Sequence, residues 1–202
     1  MSLRERQKEK RYQAIINAAL SLIQEKGYAA TSIEEIAANA EVGVGTVYNY
    51  FHTKADIIVE MYKKDIATNL SKGQELMASL GQDYKQIVAE LLITYAAGYY
   101  GGREKSLLRE IYSVIMSEQA LARQELLQSD YLLIEQLAGL LTQIRQQNQI
   151  KPQVDPHEAA YILFSLAMYD FMMFVTDESM QFNDLDENIK RHIQLVFEGL
   201  SH

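Results

Sequence analysis

The spacing of the apolar residues is the feature that most constrains what this chain can fold into. Nearly throughout the sequence, apolar side chains recur three or four positions apart, and the alternation typical of a half-buried strand is almost absent. Proline, which interrupts helices, occurs only twice. The sequence therefore predicts an all-α fold.

Capping signals divide the chain into a small head of three helices, a linking helix and a larger helical body. The first helix is predicted to end at Gly27, as a left-handed C-cap. Thr31 or Ser32 would cap the second helix, because a glutamate follows each of them three residues later. A third short helix follows, and the linking helix starts near Thr53.

The body is predicted to contain longer helices and a polar connector before the last of them. These helices are expected at about 83–100, 104–117, 118–148, 157–176 and 187–199. We place the domain boundary within the linking helix, so that residues 1–64 form the head and residues 65–202 form the body.

Charge is distributed unevenly between these two parts. The net charge is −8, yet residues 1–64 carry nine Lys or Arg against eight Asp or Glu, and the acidic excess lies in the body. The first eleven residues hold five cations and two glutamates. Because salt screens charge beyond about 10 Å, such a basic arm can bind a polyanion beside an acidic body. A solvated charged terminus is the alternative.

Composition excludes several classes of protein. The chain has no cysteine, which excludes disulfides, thiolate metal sites and a cysteine nucleophile and fits a reducing cytosol. The start of the sequence is charged, unlike a signal peptide. No uncharged apolar run approaches the roughly 18 residues of a membrane helix. We therefore expect a soluble cytoplasmic protein with no membrane contact.

No catalytic pattern is visible in the sequence. The four histidines form no metal-spaced pair, and a serine elbow, a phosphate loop and a dinucleotide fingerprint are all missing. We therefore expect no enzymatic activity, no metal and no cofactor. A small helical enzyme and a scaffold that only contacts other proteins are the alternatives to the function described next.

The stretch VGVGTVYNYFHTK, residues 42–54, has the composition of a DNA-reading helix. A short helix, a turn and a second short helix are the spacing of a helix-turn-helix, whose second helix enters the major groove of DNA. Its hydroxyl and amide groups can read base edges, and its tyrosine, histidine and lysine side chains can contact phosphates. Val47 and Phe51 would face inward with Ile36. The predicted DNA contacts are Thr31, Ser32, Val44, Gly45, Thr46, Tyr48, Asn49, Tyr50, His52 and Lys54.

This region resembles the DNA-binding head of the tetracycline-repressor (TetR) family of bacterial regulators. An alanine-rich first helix, then TSIEEIA, GTVYNYF and KADII match the family pattern over about a quarter of the chain. Glu41 departs from the usual glycine of the turn and would carry left-handed backbone strain of roughly 1 kcal/mol. Gly43 departs from the usual serine cap, a difference of a few tenths of a kcal/mol.

The resemblance implies a homodimer and a small-molecule effector. The last two helices, 157–176 and 187–199, would form a four-helix bundle with a second copy, so that the two heads face a palindromic operator in double-stranded DNA. The effector would lie among the middle helices, with core packing as the alternative role for each candidate. Buried Asp170 would need a partner, either a cationic ligand or a group across the dimer interface. The candidate lining is Tyr95, Tyr99, Tyr112, Met116, Leu137, Phe164, Met168 and Asp170.

These expectations describe a ligand-responsive transcriptional regulator. In its simplest form it is a repressor that a small, largely apolar effector releases from DNA. An activator or a ligand-insensitive regulator of the same fold is the alternative.

Overall fold

The computed structural model describes residues 2–79, 83–117 and 120–200. Within these ranges the regular secondary structure is entirely helical, which confirms the predicted fold class. The helices are α1 (Leu3–Lys26), α2 (Ile33–Asn39), α3 (Val44–Tyr48), α4 (Lys54–Ser79), α5 (Tyr84–Tyr100), α6 (Lys105–Ser117), α7 (Ala120–Gln146), α8 (Pro156–Thr176) and α9 (Phe182–Leu200).

The basic segment at the start of the chain is the first part of α1. Ser2 caps this helix, because its hydroxyl accepts a hydrogen bond from the backbone N–H of Glu5. In return, the Glu5 carboxylate accepts one from the backbone N–H of Ser2 at 2.6 Å. Residues 3–11 are therefore an exposed helical extension, which the sequence interpretation treated only as an arm.

The connection between α1 and α2 differs in two details from the prediction. Gly27 ends α1 with a positive φ of 85°, but its ψ of 162° lies outside the left-handed helical region. Ser32, not Thr31, caps α2, and its hydroxyl accepts from the backbone N–H of Glu35 at 3.2 Å. Thr31 is buried instead, and its hydroxyl donates to the Gly27 carbonyl at 2.8 Å.

The turn between α2 and α3 is a Schellman motif with glutamate at the position that favours glycine. The backbone N–H of Val42 donates to the Ala37 carbonyl at 2.9 Å, and that of Glu41 donates to the Ala38 carbonyl at 3.2 Å. Glu41 has a φ of 54°. The left-handed backbone expected at this residue is therefore confirmed, and it carries strain of roughly 1 kcal/mol.

The chain divides into two compact units. The first holds the described parts of residues 1–63 and 103–126, and the second holds those of 64–102 and 127–202. Helix α6 thus groups with the head, whereas the predicted domains assign it to the body. The reason is visible at Glu110, whose carboxylate accepts a hydrogen bond from the backbone N–H of Ala29 at 3.1 Å. A Cβ on Gly27 would lie 3.3 Å from the same carboxylate.

In the second unit, α5 packs against α8 and α9. Helix α9 begins at Phe182, five residues earlier than the predicted 187, so part of the polar connector is helical. The extra turn is stabilised by the Asp184 carboxylate, which accepts from the backbone N–H of Gln181 at 2.6 Å.

Buried polar groups join α4 to α5 and α7 in the same unit. Asn69 is fully buried, and its Nδ2 donates to the Tyr95 carbonyl at 3.2 Å. Gln136 Nε2 donates to the Leu70 carbonyl at 2.9 Å, while its Oε1 accepts from the Tyr95 hydroxyl at 2.8 Å. Gly98 faces Asn69 so closely that a Cβ there would overlap its amide group. A glycine is therefore required for this approach of α5 to α4.

Among the described helices, α8 alone is long and apolar enough to cross a membrane, judged by length and composition only. A core helix has the same profile. Half of the apolar stretch is buried inside the protein, where α8 packs on α5 and α9. Beyond its first turn, α8 carries a single carboxylate, that of Asp170, which is buried and hydrogen-bonded.

Candidate nucleic-acid interface

Helix α3 is short, and buried side chains hold it against the rest of the head. It runs from Val44 to Tyr48, with Gly43 as its N-cap and Asn49 as its C-cap. Val47, Phe51 and Ile36 are at most 2% exposed, which confirms that they form the inward side of the motif. One side of α3 is therefore committed to the core, and the other side is turned to solvent.

The solvent side of α3 carries most of the predicted DNA contacts. Gly45, Asn49 and His52 are exposed, and Val44 and Thr46 are partly exposed. Tyr48 is 47% exposed although it is a large aromatic residue. The tyrosine therefore does not serve the core, as two tyrosines two positions apart cannot share one buried face of a helix.

Tyr50 is used inside the head. Its hydroxyl donates to the backbone carbonyl of Lys8 at 3.1 Å. Its ring lies 6.1 Å from that of Tyr12 and 6.2 Å from that of Phe51, in tilted arrangements typical of aromatic packing. The Tyr12 hydroxyl in turn donates to the Glu60 carboxylate on α4. The phosphate contact predicted for Tyr50 would compete with the bond to Lys8.

Lys54 is also engaged within the head. Its ammonium group donates to the carbonyls of Tyr28 and Thr31 and lies 4.0 Å above the Tyr28 ring. A cation in this position holds the loop between α1 and α2 against the start of α4. The phosphate contact predicted for Lys54 would have to be made from this anchored position.

The residues just before α4 are ordered by one carboxylate. Asp56 accepts hydrogen bonds from the backbone N–H groups of His52 and Thr53 at 2.8 and 2.9 Å. The Thr53 hydroxyl accepts from the backbone N–H of Asp56 at 3.2 Å. This reciprocal pairing orders the backbone of the exposed residue His52, between the end of α3 and the start of α4.

The start of α2 is occupied by its own capping box. Glu35 pairs with the Lys26 ammonium and accepts from both the backbone N–H and the hydroxyl of Ser32. The bonds to Lys26 and Ser32 stabilise the carboxylate and lower the pKa of Glu35 to about 2. Of the two predicted contacts here, the Thr31 side chain is buried and the Ser32 hydroxyl is the cap.

Several predicted effector contacts belong to the second unit, and two of them are neighbours. Tyr95, Leu137 and Phe164 are buried, and the rings of Tyr95 and Phe164 lie 6.5 Å apart. Burial raises the pKa of the Tyr95 phenol. Tyr99 is buried as well, and its hydroxyl donates to Asp130 at 2.9 Å. Met168 is partly exposed.

Two of the predicted effector contacts lie on α6, which belongs to the first unit. They are Tyr112 and Met116, and Met116 is 56% exposed. The eight candidates are therefore not one continuous set within a single unit. Local sequence patterns do not show which neighbours a helix packs against.

Asp170 has a partner within the chain. Its Oδ2 lies 2.8 Å from Nδ1 of His192 on α9, so neither a ligand nor a second copy is needed to satisfy it. The sequence interpretation missed this partner. The available signal was the position of His192, a partly buried polar residue directly before the buried Ile193 on α9. In the part of the chain that the structure describes, no cluster of His, Cys, Asp or Glu is arranged to hold a metal ion.

The head matches a known sequence family. The model of the tetR family of bacterial regulatory proteins matches residues 15–61. This range runs from within α1, through α2 and α3, to the first part of α4. It contains the whole of the helix-turn-helix described above.

Similarity to other proteins extends beyond the head over most of the chain. The fatty acid metabolism regulator protein of Bacillus subtilis is 29% identical over 168 residues, which cover 79% of this chain and 80% of that protein. A structure from Syntrophomonas wolfei, described as a TetR-family transcriptional regulator, has a TM-score of 0.77 at 25% identity and covers 95% of this chain and 97% of that one. FadR from Bacillus subtilis in complex with stearoyl-CoA has a TM-score of 0.75 at 23% identity, with coverage of 94% and 99%.

Proposed function

Because the chain belongs to the tetR family of bacterial transcriptional regulators, which are not enzymes, we propose that it represses transcription as a homodimer on a palindromic operator. A small, largely apolar effector would release it from DNA. A repressor acts at the chromosome, and we accordingly assign the protein to the cytoplasm. An activator or a regulator without an effector is the alternative, which the experiments below distinguish.

The observation that supports DNA binding most strongly is the composition of the solvent side of α3. Thr46 and Asn49 offer a hydroxyl and an amide, the groups that hydrogen-bond base edges in the major groove. Tyr48 and His52 flank them and would bond phosphates. Gly45 adds no side chain and lets the backbone come close to DNA. Val47, buried behind them, fixes the orientation of this surface.

The other predicted contacts have supporting roles in this proposal. Val44 borders the surface at the start of α3, and Ser32 marks the start of α2, where helix backbone approaches a phosphate. Thr31, Tyr50 and Lys54 hold the head together in the structure and would contact DNA only through groups that remain accessible. Their contribution to affinity is thus expected to be smaller than that of Thr46 or Asn49.

A homodimer through α8 and α9 is supported by apolar side chains that these helices expose. Ile162, Tyr169 and Met173 follow each other on one side of α8 at spacings of seven and four residues, and all three are at least 44% exposed. Leu195 on α9 is 59% exposed. Exposed apolar residues aligned in this way favour a protein interface, and a second copy would cover them by two-fold symmetry.

A long-chain fatty acyl group carried on coenzyme A is the effector class that the relatives support. One relative is a fatty acid metabolism regulator, and one structural neighbour holds stearoyl-CoA. Buried aromatic and aliphatic residues of the second unit, among them Tyr95 and Phe164, are suited to an acyl chain. Binding there would lower the affinity for DNA through α4, the helix that continues from the head into the second unit, and linkage requires DNA to lower effector affinity equally.

Titration of the purified protein against the DNA upstream of its own gene tests DNA recognition. Asn49→Ala should lose about 1–3 kcal/mol of discrimination at one or two base pairs, as should Thr46→Ala. Asn17→Ala is the matched control, since Asn17 is an exposed asparagine of α1 in the same head. If Asn49→Ala kept full discrimination, the assignment of base contacts would be wrong.

Adding candidate effectors to the same titration tests whether an effector releases the protein from DNA. Stearoyl-CoA should release the protein from DNA, whereas coenzyme A alone should not. Release by neither an acyl-CoA nor a free fatty acid would remove this effector class while leaving DNA binding intact. Transcription from the bound promoter distinguishes a repressor from an activator.

A further inference from the structure

We propose that the first turns of α1 form a second DNA-contacting surface, which binds phosphates beside the sequence read by α3 and which Tyr50 holds in position. The surface consists of Arg4, Lys8 and Arg11, called the basic stripe below. The inference rests on the proposed DNA-binding function and adds to it a segment outside the family match, which begins at residue 15.

The three cations lie on one side of α1. Arg4, Lys8 and Arg11 have the spacing i, i+4 and i+7, which aligns side chains along a helix. Their residues are exposed. The charge on this side is therefore concentrated in a line and is available to solvent.

The basic stripe continues the side of α1 that packs into the head. Eleven residues are close to three full turns of a helix, so Arg4 lies in line with Ile15 and Lys8 lies in line with Ala19. Ile15 and Ala19 are both completely buried against the head. The stripe thus continues the core-facing side of α1 beyond the core. The exposed extension that carries it, residues 3–11, is about 13 Å long at 1.5 Å per residue.

The three cations form no ion pair within the part of the chain that the structure describes. No ion pair or hydrogen bond there involves the side chains of Arg4, Lys8 or Arg11. The two glutamates of this segment keep their charge but hydrogen-bond other groups, and they are outnumbered by its five cations. Glu5 accepts from the backbone of Ser2, and Glu9 accepts from Gln13 Nε2 at 2.9 Å. By contrast, Lys26 and Lys63 of the same unit pair with Glu35 and Glu60.

Tyr50 connects the basic stripe to α3. It lies two residues after the end of α3, and its hydroxyl donates to the carbonyl of Lys8, the middle residue of the stripe. Its ring packs in the cluster with Tyr12 and Phe51. These contacts fix the position of the stripe relative to the end of α3.

The polyanion that these features fit is the DNA already held by α3. Cations that do not read base edges contribute by releasing counterions from phosphates, and this contribution is independent of sequence. The stripe should therefore raise affinity and salt dependence without changing which sequence is preferred. Tyr50 is a positioning residue in this scheme.

The test is the salt dependence of operator binding by the full-length protein. The triple variant R4Q/K8Q/R11Q should reduce the slope of log Kd against log salt by about 0.9 for each phosphate that the variant no longer neutralises, counted over both protomers. Its preference for the operator over an operator with altered base pairs should not change. The double variant R6Q/K10Q is the matched control, because Arg6 and Lys10 lie on the opposite side of α1 and should leave the slope nearly unchanged.

A second variant tests the role of Tyr50. Tyr50→Phe keeps the ring and removes the hydroxyl, so it should weaken binding in the natural protein but have no further effect in R4Q/K8Q/R11Q. A Tyr50→Phe effect of equal size in both backgrounds would mean that this hydroxyl bonds phosphate directly, and would overturn its positioning role. Circular dichroism of each variant confirms that α1 remains folded.

Equal slopes for the triple variant and the R6Q/K10Q control would overturn the basic stripe while leaving the proposed function in place. Failure of the proposed function looks different. In that case the natural protein itself would show no preference between operator and altered operator.

Discussion

Replacing Gly98 by alanine tests the close packing of α4 and α5 directly. In an unobstructed helix, alanine is more stable than glycine by about 1 kcal/mol. At this position the added Cβ would overlap the buried amide of Asn69, and relief of such overpacking costs about 1–3 kcal/mol. Displacing Asn69 also breaks its hydrogen bond to the Tyr95 carbonyl, a further cost of about 1 kcal/mol. The sum of these effects is a destabilisation of about 1–3 kcal/mol.

Urea unfolding followed by circular dichroism measures this change, and Gly139→Ala is its matched control. Gly139 is a helical glycine of α7 with no atom within 4 Å of a Cβ placed there. Gly139→Ala should therefore raise the unfolding free energy by up to about 1 kcal/mol. The opposite signs of the two substitutions separate packing from helix propensity.

A double variant identifies the clashing partner. Asn69→Ala alone should be destabilising, because it removes a buried hydrogen bond and leaves a cavity. The double variant Asn69→Ala/Gly98→Ala should lose less unfolding free energy than the two single variants together, by about 1 kcal/mol or more. The reason is that the new methyl group at position 98 then faces a methyl group instead of an amide. Additive costs, or a Gly98→Ala variant as stable as Gly139→Ala, would refute the packing described here.

Three further predictions concern the stability of the head. Glu41→Gly should raise the free energy of unfolding by about 0.5–1 kcal/mol in urea titrations, as glycine adopts a φ of 54° without a Cβ clash but loses more backbone entropy. The folded-state pKa of Glu35 is lowered from 4.5 to about 2. Its ionised form therefore stabilises the fold above pH 4.5, and this contribution is lost as the pH falls toward 2. Glu35→Gln should make the decline of the melting temperature over that range less steep. Lys54→Ala should lower the melting temperature of the protein without DNA, because it removes the bonds to the carbonyls of Tyr28 and Thr31. An unchanged melting temperature together with weaker DNA binding would instead indicate that Lys54 contacts phosphate.

Local patterns in the sequence were sufficient for the fold class and for most helix boundaries. The predicted helix at 83–100 corresponds to α5, because Asp83 caps its start and Gly101 adopts a left-handed conformation at its end. The predicted helix at 157–176 corresponds to α8, whose cap is Asp155. Caps and glycines act on neighbouring residues, so a single sequence shows them. The inward position of Val47 and Phe51 was predictable for the same reason, from their spacing.

Contacts between distant parts of the chain could not be predicted in this way. The Asp170 and His192 side chains are 22 positions apart, and their pairing depends on how α8 packs on α9. Tyr50 reaches a carbonyl 42 positions earlier, and Glu110 bonds the backbone 81 positions away. Such partners change the roles of residues that sequence patterns had assigned to DNA or to the body. They are determined by tertiary packing, which overrides local propensity.

Footprinting of the purified protein on the DNA upstream of its own gene tests the central claim most directly, namely that two copies of α3 read one operator. We predict two protected half-sites in an inverted repeat, with centres about one helical turn, roughly 34 Å, or a multiple of it apart. Excess non-specific DNA should not abolish this protection. Uniform protection, or protection that excess non-specific DNA removes completely, would contradict the account.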